Sequence, residues 1–156
     1  MRFIDEAVYW GIQYRTYLSN HADRLPPGVI AFAFNDWYYN PQDHRCPHDS
    51  WLEELAIIGP ANGERNEQRG IEISLRLLGA YHDGNIFFRY PALHRYRFET
   101  SGEWRLPPLH VGHGDFSVDE IRLQSDGFVE YEIAFSRGSR FLIECSDIEF
   151  GFKGKK

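Results

Sequence analysis

The sequence predicts a mainly β protein: an antiparallel two-sheet sandwich or flattened barrel of about eight strands, with a short N-terminal helical segment. From residue 50 onward, apolar and polar side chains alternate with a period of two, and glycine-containing turn dipeptides separate the alternating runs. The chain has 156 residues, of which 42% are hydrophobic and 16% aromatic. This length and composition fit one domain, 1–156, with a substantial core.

The first 49 residues form the predicted helical and loop segment. Residues 4–18 are predicted to be an amphipathic helix, because apolar or small residues recur there at helical spacing: Ile4, Ala7, Val8, Gly11, Tyr14 and Leu18. The pair Pro26-Pro27 ends this element and can open a second helix over 28–34, for which a buried strand is the alternative. Residues 35–49 are rich in Pro, Asn, Asp and His, which is typical of a loop.

Residues 50–99 and 115–152 are predicted to form two β meanders. In the first, Ile71, Ile73, Leu75 and Leu77 alternate with polar residues, so one face of the strand is buried. The dipeptides Asp83-Gly84 and Asp126-Gly127 are strong hairpin turns, and Arg137-Gly138 is a weaker one. The predicted strands are 50–58, 70–78, 85–90, 93–99, 116–123, 128–135, 139–145 and 147–152.

The two meanders resemble each other. His48–Ile57 and Gly114–Leu123 share an order of Asp, apolar residue, acidic pair and aliphatic residue. Each half would be a four-stranded meander with a kink before its last strand, at Pro91 in one and at Ser146-Asp147 in the other. Internal duplication and a chance likeness between two amphipathic meanders both explain this pattern. In either case each sheet can bury one face only against the other.

Charge is unevenly distributed. The net charge is −6, from 17 basic and 23 acidic residues, which argues against nucleic acid as a partner. Residues 115–152 hold nine acids and three bases, and a field of one sign attracts a basic protein. A solvated sheet face and helix packing are the alternatives for these residues. The predicted binding residues are the acids Glu130, Glu132, Glu144, Asp147 and Glu149 and the aromatic anchors Trp37 and Tyr38.

A loop rich in His, Cys and Asp suggests a second hypothesis, a metal-binding protein or metal-dependent enzyme. Its ligands for zinc or another transition metal would be His44, Cys46, His48 and Asp49, joined by His113 from the equivalent position of the second half. Their spacing matches no standard zinc signature, and turn and cap formation is the alternative role. We assign no catalytic residue and, outside this hypothesis, expect no cofactor.

The remaining expectations concern location and assembly. No apolar run approaches the roughly 18 residues of a membrane helix, so we expect no membrane contact. Asp5 and Glu6 occupy the place of a secretion signal's apolar stretch, and Cys46 and Cys145 are too few for a disulfide framework. These features favour the cytoplasm. An exposed edge such as the last strand could form a homodimer, and a barrel lined by aromatic residues could hold a small ligand.

Residues 48–152 resemble a known family. The start of the first strand at His48-Asp49, the two meanders and the acidic C-terminal half are similar to small bacterial immunity proteins of polymorphic-toxin systems, in particular the immunity protein 50 family. The resemblance implies a non-catalytic bacterial protein that binds and neutralises a toxin. It covers none of the helical N-terminal segment and assigns no individual binding residue.

Overall fold

A computed structural model describes residues 3–5, 12–100 and 112–156. The predicted fold class is confirmed: the described residues form ten strands in antiparallel sheets with a minor helical part, and they do not close into a barrel. The two four-stranded sheets pack face to face as a sandwich, and a separate two-stranded ribbon extends from the first hairpin.

Within its described residues, 3–5 and 12–49, the helical segment contains four short elements. Two are 3₁₀ helices, Phe3–Asp5 and Asp36–Tyr39, and two are α helices, α1 (Ile12–Asn20) and α2 (Pro27–Ala33). The predicted helix over 4–18 overlaps α1, and its residues 6–11 lie outside the described part of the chain. For 28–34 the helix is correct and the strand is not, since α2 covers Pro27–Ala33. Pro27 occupies the first helical position, where a proline costs no hydrogen bond.

All eight predicted strands are present. The strands are β1 (Trp51–Ile58), β2 (Ala61–Asn62), β3 (Gln68–Arg69), β4 (Glu72–Leu78), β5 (Gly84–Tyr90), β6 (Leu93–Glu99), β7 (Phe116–Leu123), β8 (Val129–Phe135), β9 (Arg140–Cys145) and β10 (Glu149–Gly154). The sequence did not predict β2 and β3. Two residues per strand are too few to produce a recognisable alternation.

The strand order differs from two separate meanders. The first sheet has the order β1-β4-β5-β10 and the second β6-β9-β8-β7. The meander prediction is therefore correct for three strands of each half and wrong for the fourth, which crosses to the opposite sheet. Both crossings occur at the predicted kinks, after Pro91 and at Ser146-Asp147. Alternation shows which face of a strand is buried, but not which neighbour it pairs with.

The two halves also share a local irregularity. In β1 the pairing with β4 shifts between Leu52 and Glu54, and in β7 the pairing with β8 shifts between Phe116 and Val118. The two bulges lie 64 positions apart, whereas the sequence pattern aligned the two halves at a spacing of 66 residues. Trp51 and Asp115, which are also 64 apart, form an isolated bridge between the first strands of the two halves. A shift of two residues leaves every side chain on its predicted face.

The core fills the space between the sheets. The fully buried side chains include Leu75, Leu77, Ile86, Phe88, Tyr131, Ile133, Phe141 and Ile143. Aromatic rings that could have lined a ligand cavity pack against one another instead, as Phe88 does against Tyr131 at 5.7 Å between ring centres. Phe32 of α2 joins this core through contacts with Phe88 and Phe150. The helical segment thus closes one side of the sandwich.

Candidate functional site

The five predicted acidic residues do not share one surface. Glu130, Glu132 and Glu144 alternate with the buried residues of β8 and β9, and so lie on the outer face of the second sheet. Glu149 pairs with Arg89 in the first sheet, and Asp147 lies in the crossing between the sheets. The acidic residues are separated because the strand exchange places β9 in the second sheet and β10 in the first.

Arginines neutralise the acids on the second sheet. Arg122 contacts Glu130 at 2.6 Å and Glu132 at 2.8 Å, and Arg140 contacts Glu132 at 3.0 Å. Arg95 contacts Glu144 at 3.1 Å. Because Arg95 comes from β6 of the first half, a count of bases within residues 115–152 does not include it. The outer face of this sheet therefore carries charges of both signs.

Asp147 and Glu149 have partners of their own. The carboxylate of Asp147 accepts hydrogen bonds from the backbone N–H groups of Gly28 and Val29, at 3.1 and 3.2 Å. These groups belong to the first turn of α2, so Asp147 satisfies donors that the helix leaves unpaired. Glu149 forms an ion pair of 2.8 Å with Arg89. Both acids join parts of the fold that are distant in sequence.

The two predicted aromatic anchors differ in exposure. Tyr38 is 2% exposed, and its hydroxyl donates a hydrogen bond to the buried carboxylate of Asp119. The prediction that Tyr38 anchors a partner is therefore wrong, because the core already encloses the ring. Trp37 is half-buried, packs on Phe150 at 5.1 Å and lies under the Arg45 guanidinium at 4.5 Å.

The predicted metal ligands are dispersed. Cys46 is buried; its thiol donates to the carbonyl oxygen of Tyr38 at 3.1 Å, and burial raises its pKa to about 11. His44 contacts Asp83, and His113 contacts the hydroxyl of Ser139. His48 contacts the carbonyl oxygen of Ser117 and, at 3.4 Å, the carboxylate of Asp49, so these two of the predicted ligands meet. Within the described ranges, His44, Cys46, His48, Asp49 and His113 do not supply three ligand atoms within 4.8 Å of one another.

A group of side chains that offer metal-ligand atoms lies close together elsewhere. His94 of β6, Asp126 of the turn between β7 and β8, and Glu144 of β9 each offer one ligand atom, and these atoms lie within 4.8 Å of one another. The sequence did not predict a ligand role for His94 or Asp126. No local motif unites residues 94, 126 and 144, which meet only because β6 joins the second sheet.

The edge strand β1 exposes apolar side chains. Trp51, Ile57 and Ile58 are 44%, 50% and 47% exposed, and Ile71, which immediately precedes β4, is 45% exposed. Ile58 pairs with Glu72, so Ile71 lies at the same end of the sheet as Ile57 and Ile58. In the described residues, no strand pairs with the outer side of β1 between Leu52 and Ile58. Exposed apolar groups beside an unpaired edge are typical of a protein-binding surface.

Comparisons with known proteins give no relative. The chain matches no family model, no curated protein and no solved structure. Among the helices described here, none combines the length and the apolar character needed to cross a membrane.

Proposed function

We propose that this protein is a non-catalytic binding protein that pairs the edge of β1 with an extended, basic segment of a partner protein. The open outer edge of β1, with its half-exposed isoleucines, is the observation that supports this proposal. An edge strand offers unpaired backbone N–H and C=O groups to a new strand, and neighbouring side-chain sites supply specificity.

A comparison with β7, one of the two edge strands of the other sheet, supports the choice of β1. The backbone N–H groups of Ile121 and Leu123 donate to the hydroxyls of Tyr14 and Tyr17, at 2.8 and 3.0 Å. The helical segment thus occupies the β7 edge. The bridge between Trp51 and Asp115 covers only the beginning of β1, and the described residues leave the rest of its outer side open.

The side chains of β1 favour a partner that is apolar and basic. β1 carries Glu53 and Glu54 and has no basic residue. Among the described residues, Arg76 of β4 is the cation within 4 Å of both glutamates. Two carboxylates with one shared cation attract further positive charge. Ile57 and Ile58 point to opposite faces of the sheet, so an added strand would place apolar residues on both sides.

A second copy of the chain fits this edge less well. Antiparallel pairing of β1 with the same strand of a second copy would place Glu54 directly opposite Glu54 of that copy when the pairing is centred on this residue. Like charges directly across a strand pair are destabilising. We therefore retain the basic partner that the sequence predicted. The proposed binding surface is the β1 edge, because arginines neutralise the outer face of the second sheet.

A role in bacterial immunity would be one example of this kind of binding. We infer it from the sequence resemblance to immunity proteins, and a basic toxin would have the charge that β1 favours. We also infer a cytoplasmic location, which the buried free thiols of Cys46 and Cys145 support because reduced thiols persist there.

We further infer that the two halves arose by duplication. The exchange of the fourth strands and the similar bulges in β1 and β7, which lie 64 residues apart, support this inference. A backbone superposition of the two halves tests it. The best fit should occur at an offset of 64 for β1 on β7, and a best fit at an odd offset would contradict duplication.

A displayed library of random peptides tests the binding proposal. Selection on the wild-type protein should enrich extended sequences that alternate apolar residues and contain Lys or Arg. Enriched peptides should bind at least tenfold more weakly to Ile57→Lys and Ile58→Lys, because the introduced ammonium groups repel a basic strand. Ile30→Lys, at a 39%-exposed position on α2, is the matched control and should bind normally. Enriched peptides that bind all variants equally would refute the use of β1.

A further inference from the structure

We propose that His94, Asp126 and Glu144 form a binding site for a divalent transition metal, with zinc as the preferred ion. The site lies on the second sheet and is independent of the β1 edge. Nδ1 of His94 and Oε1 of Glu144 are 3.1 Å apart. Two ligands of one tetrahedral zinc ion, each about 2.0–2.2 Å from the metal, are separated by about 3.3 Å.

The other oxygens of both carboxylates are already held. Arg95 contacts Oε2 of Glu144 at 3.1 Å, which leaves Oε1 directed towards His94. The backbone N–H of Phe128 donates to Oδ1 of Asp126 at 3.0 Å, so Oδ2 remains available to a metal. Hydrogen bonds that fix a ligand through its second atom are a regular feature of metal sites.

The surroundings leave room for an ion. A cavity of about 220 Å³ is lined by His94, Arg95 and Glu144. The ring of Phe128 packs on the His94 imidazole at 5.2 Å and limits its rotation. Asp126 is exposed on its turn, so its carboxylate can close the remaining distance to the other two ligands by side-chain rotation. Three protein ligands leave a fourth tetrahedral position open to water or to a bound molecule.

Nitrogen and oxygen donors decide the class of ion. One imidazole with two carboxylates suits zinc and related transition metals, whereas calcium takes six to eight oxygen ligands. We therefore expect zinc and cobalt(II) to bind more tightly than calcium by at least a factor of ten. Calcium binding as tight as zinc binding would contradict this assignment.

Titration calorimetry with zinc chloride on tag-free, metal-stripped protein tests the site. We expect one zinc ion per chain, and at least a tenfold weaker affinity in each of His94→Ala, Asp126→Asn and Glu144→Gln. The matched control is His44→Ala, which removes a surface histidine that also contacts a carboxylate, that of Asp83. Circular dichroism of all four variants checks the fold. The His94 and His44 side chains are 59% and 49% exposed, and Glu144→Gln, at a side chain that is 12% exposed, keeps the size of the residue that it replaces.

Cobalt(II) binding can be measured by visible absorption, which does not depend on the folding stability of the variants. Cobalt in a tetrahedral site should give a visible absorption band in the wild-type protein and in His44→Ala, and this band should be lost in His94→Ala. Zinc binding of equal strength in His94→Ala and the wild type, or the absence of saturable zinc binding, would overturn the proposal.

Discussion

The hydroxyl of Tyr131 donates a hydrogen bond of 2.8 Å to Oδ2 of Asp119 in the interior of the sandwich. The hydroxyl of Tyr38 donates to the same oxygen, so one carboxylate connects the helical segment to the second sheet. Asp119 is 2% exposed, and burial raises the pKa of its carboxyl to about 7. An acid in such a position makes the stability of the fold depend on pH.

We predict that the Asp119 carboxyl contributes a loss of stability as the pH rises from 4 to 7. In this range the folded protein retains the Asp119 proton, while the unfolded chain, with an ordinary pKa of 3.8, releases it. The unfolded state then binds fewer protons at this carboxyl than the folded state does. The contribution of Asp119 to the free energy of unfolding therefore falls with rising pH and levels off above about 7. The upper limit of the loss is about 4 kcal/mol for about three pKa units.

The substitution Asp119→Asn isolates the contribution of this carboxyl to the pH dependence of stability. The variant should be more stable than the wild type at pH 8 and lose this advantage at pH 5, as measured by urea unfolding at both values. Asp23→Asn, at an exposed position, is the matched control and should change stability equally at both pH values. A difference between Asp119→Asn and the wild type that does not vary with pH would contradict the prediction.

We predict that Tyr38→Phe destabilises the protein by about 1–3 kcal/mol, the usual cost when a buried polar group loses a hydrogen-bond partner. The substitution removes one of the two hydroxyl donors of Asp119 and leaves the ring packing intact. Chemical unfolding measures the effect. Tyr81→Phe, whose half-exposed hydroxyl contacts the carbonyl oxygen of Pro41, should cost less than about 0.5 kcal/mol. Equal costs for the two variants would show that Tyr38 is not a core residue.

We predict that Gly28→Ala destabilises α2, although alanine favours helices by up to about 1 kcal/mol. An added Cβ would lie 2.3 Å from the carbonyl oxygen of Ile148 and 2.6 Å from Oδ1 of Asp147. Relief of this overlap would weaken the Asp147 hydrogen bonds, and overpacking costs about 1–3 kcal/mol. In Gly59→Ala the nearest atom would be 3.6 Å away, so this control should be close to neutral in thermal unfolding. A more stable Gly28→Ala would disprove the close contact.

We predict that Arg122→Gln is strongly destabilising, by about 3 kcal/mol, because it leaves Glu130 and Glu132 without their shared cation. These acids are 16% and 5% exposed, so water screens them poorly. The control is Arg97→Gln, which breaks an ion pair with Glu99 whose side chains are 66% and 59% exposed, and it should cost less than about 1 kcal/mol. Guanidinium unfolding curves provide the comparison, and similar losses in both variants would argue against an ion network that is shielded from water.

The local sequence predicted more of the fold than of the site. Alternation identified β4 and β8 with nearly correct ends, and Asp126-Gly127 gave the predicted turn, in which Gly127 has a φ of 88°. The pairing of Arg95 with Glu144 could not be predicted in the same way. It depends on β6 lying beside β9, and no periodicity within either strand records that neighbour.

The sequence by itself determined which segments are strands and which of their faces are buried. Both properties depend on side chains one or two positions apart, whose directions the backbone of a strand sets directly. Only the tertiary structure decided that β6 and β10 exchange sheets, which acids meet arginines, and where His94, Asp126 and Glu144 assemble. These contacts join residues tens of positions apart, and their energies depend on packing and burial in the complete fold.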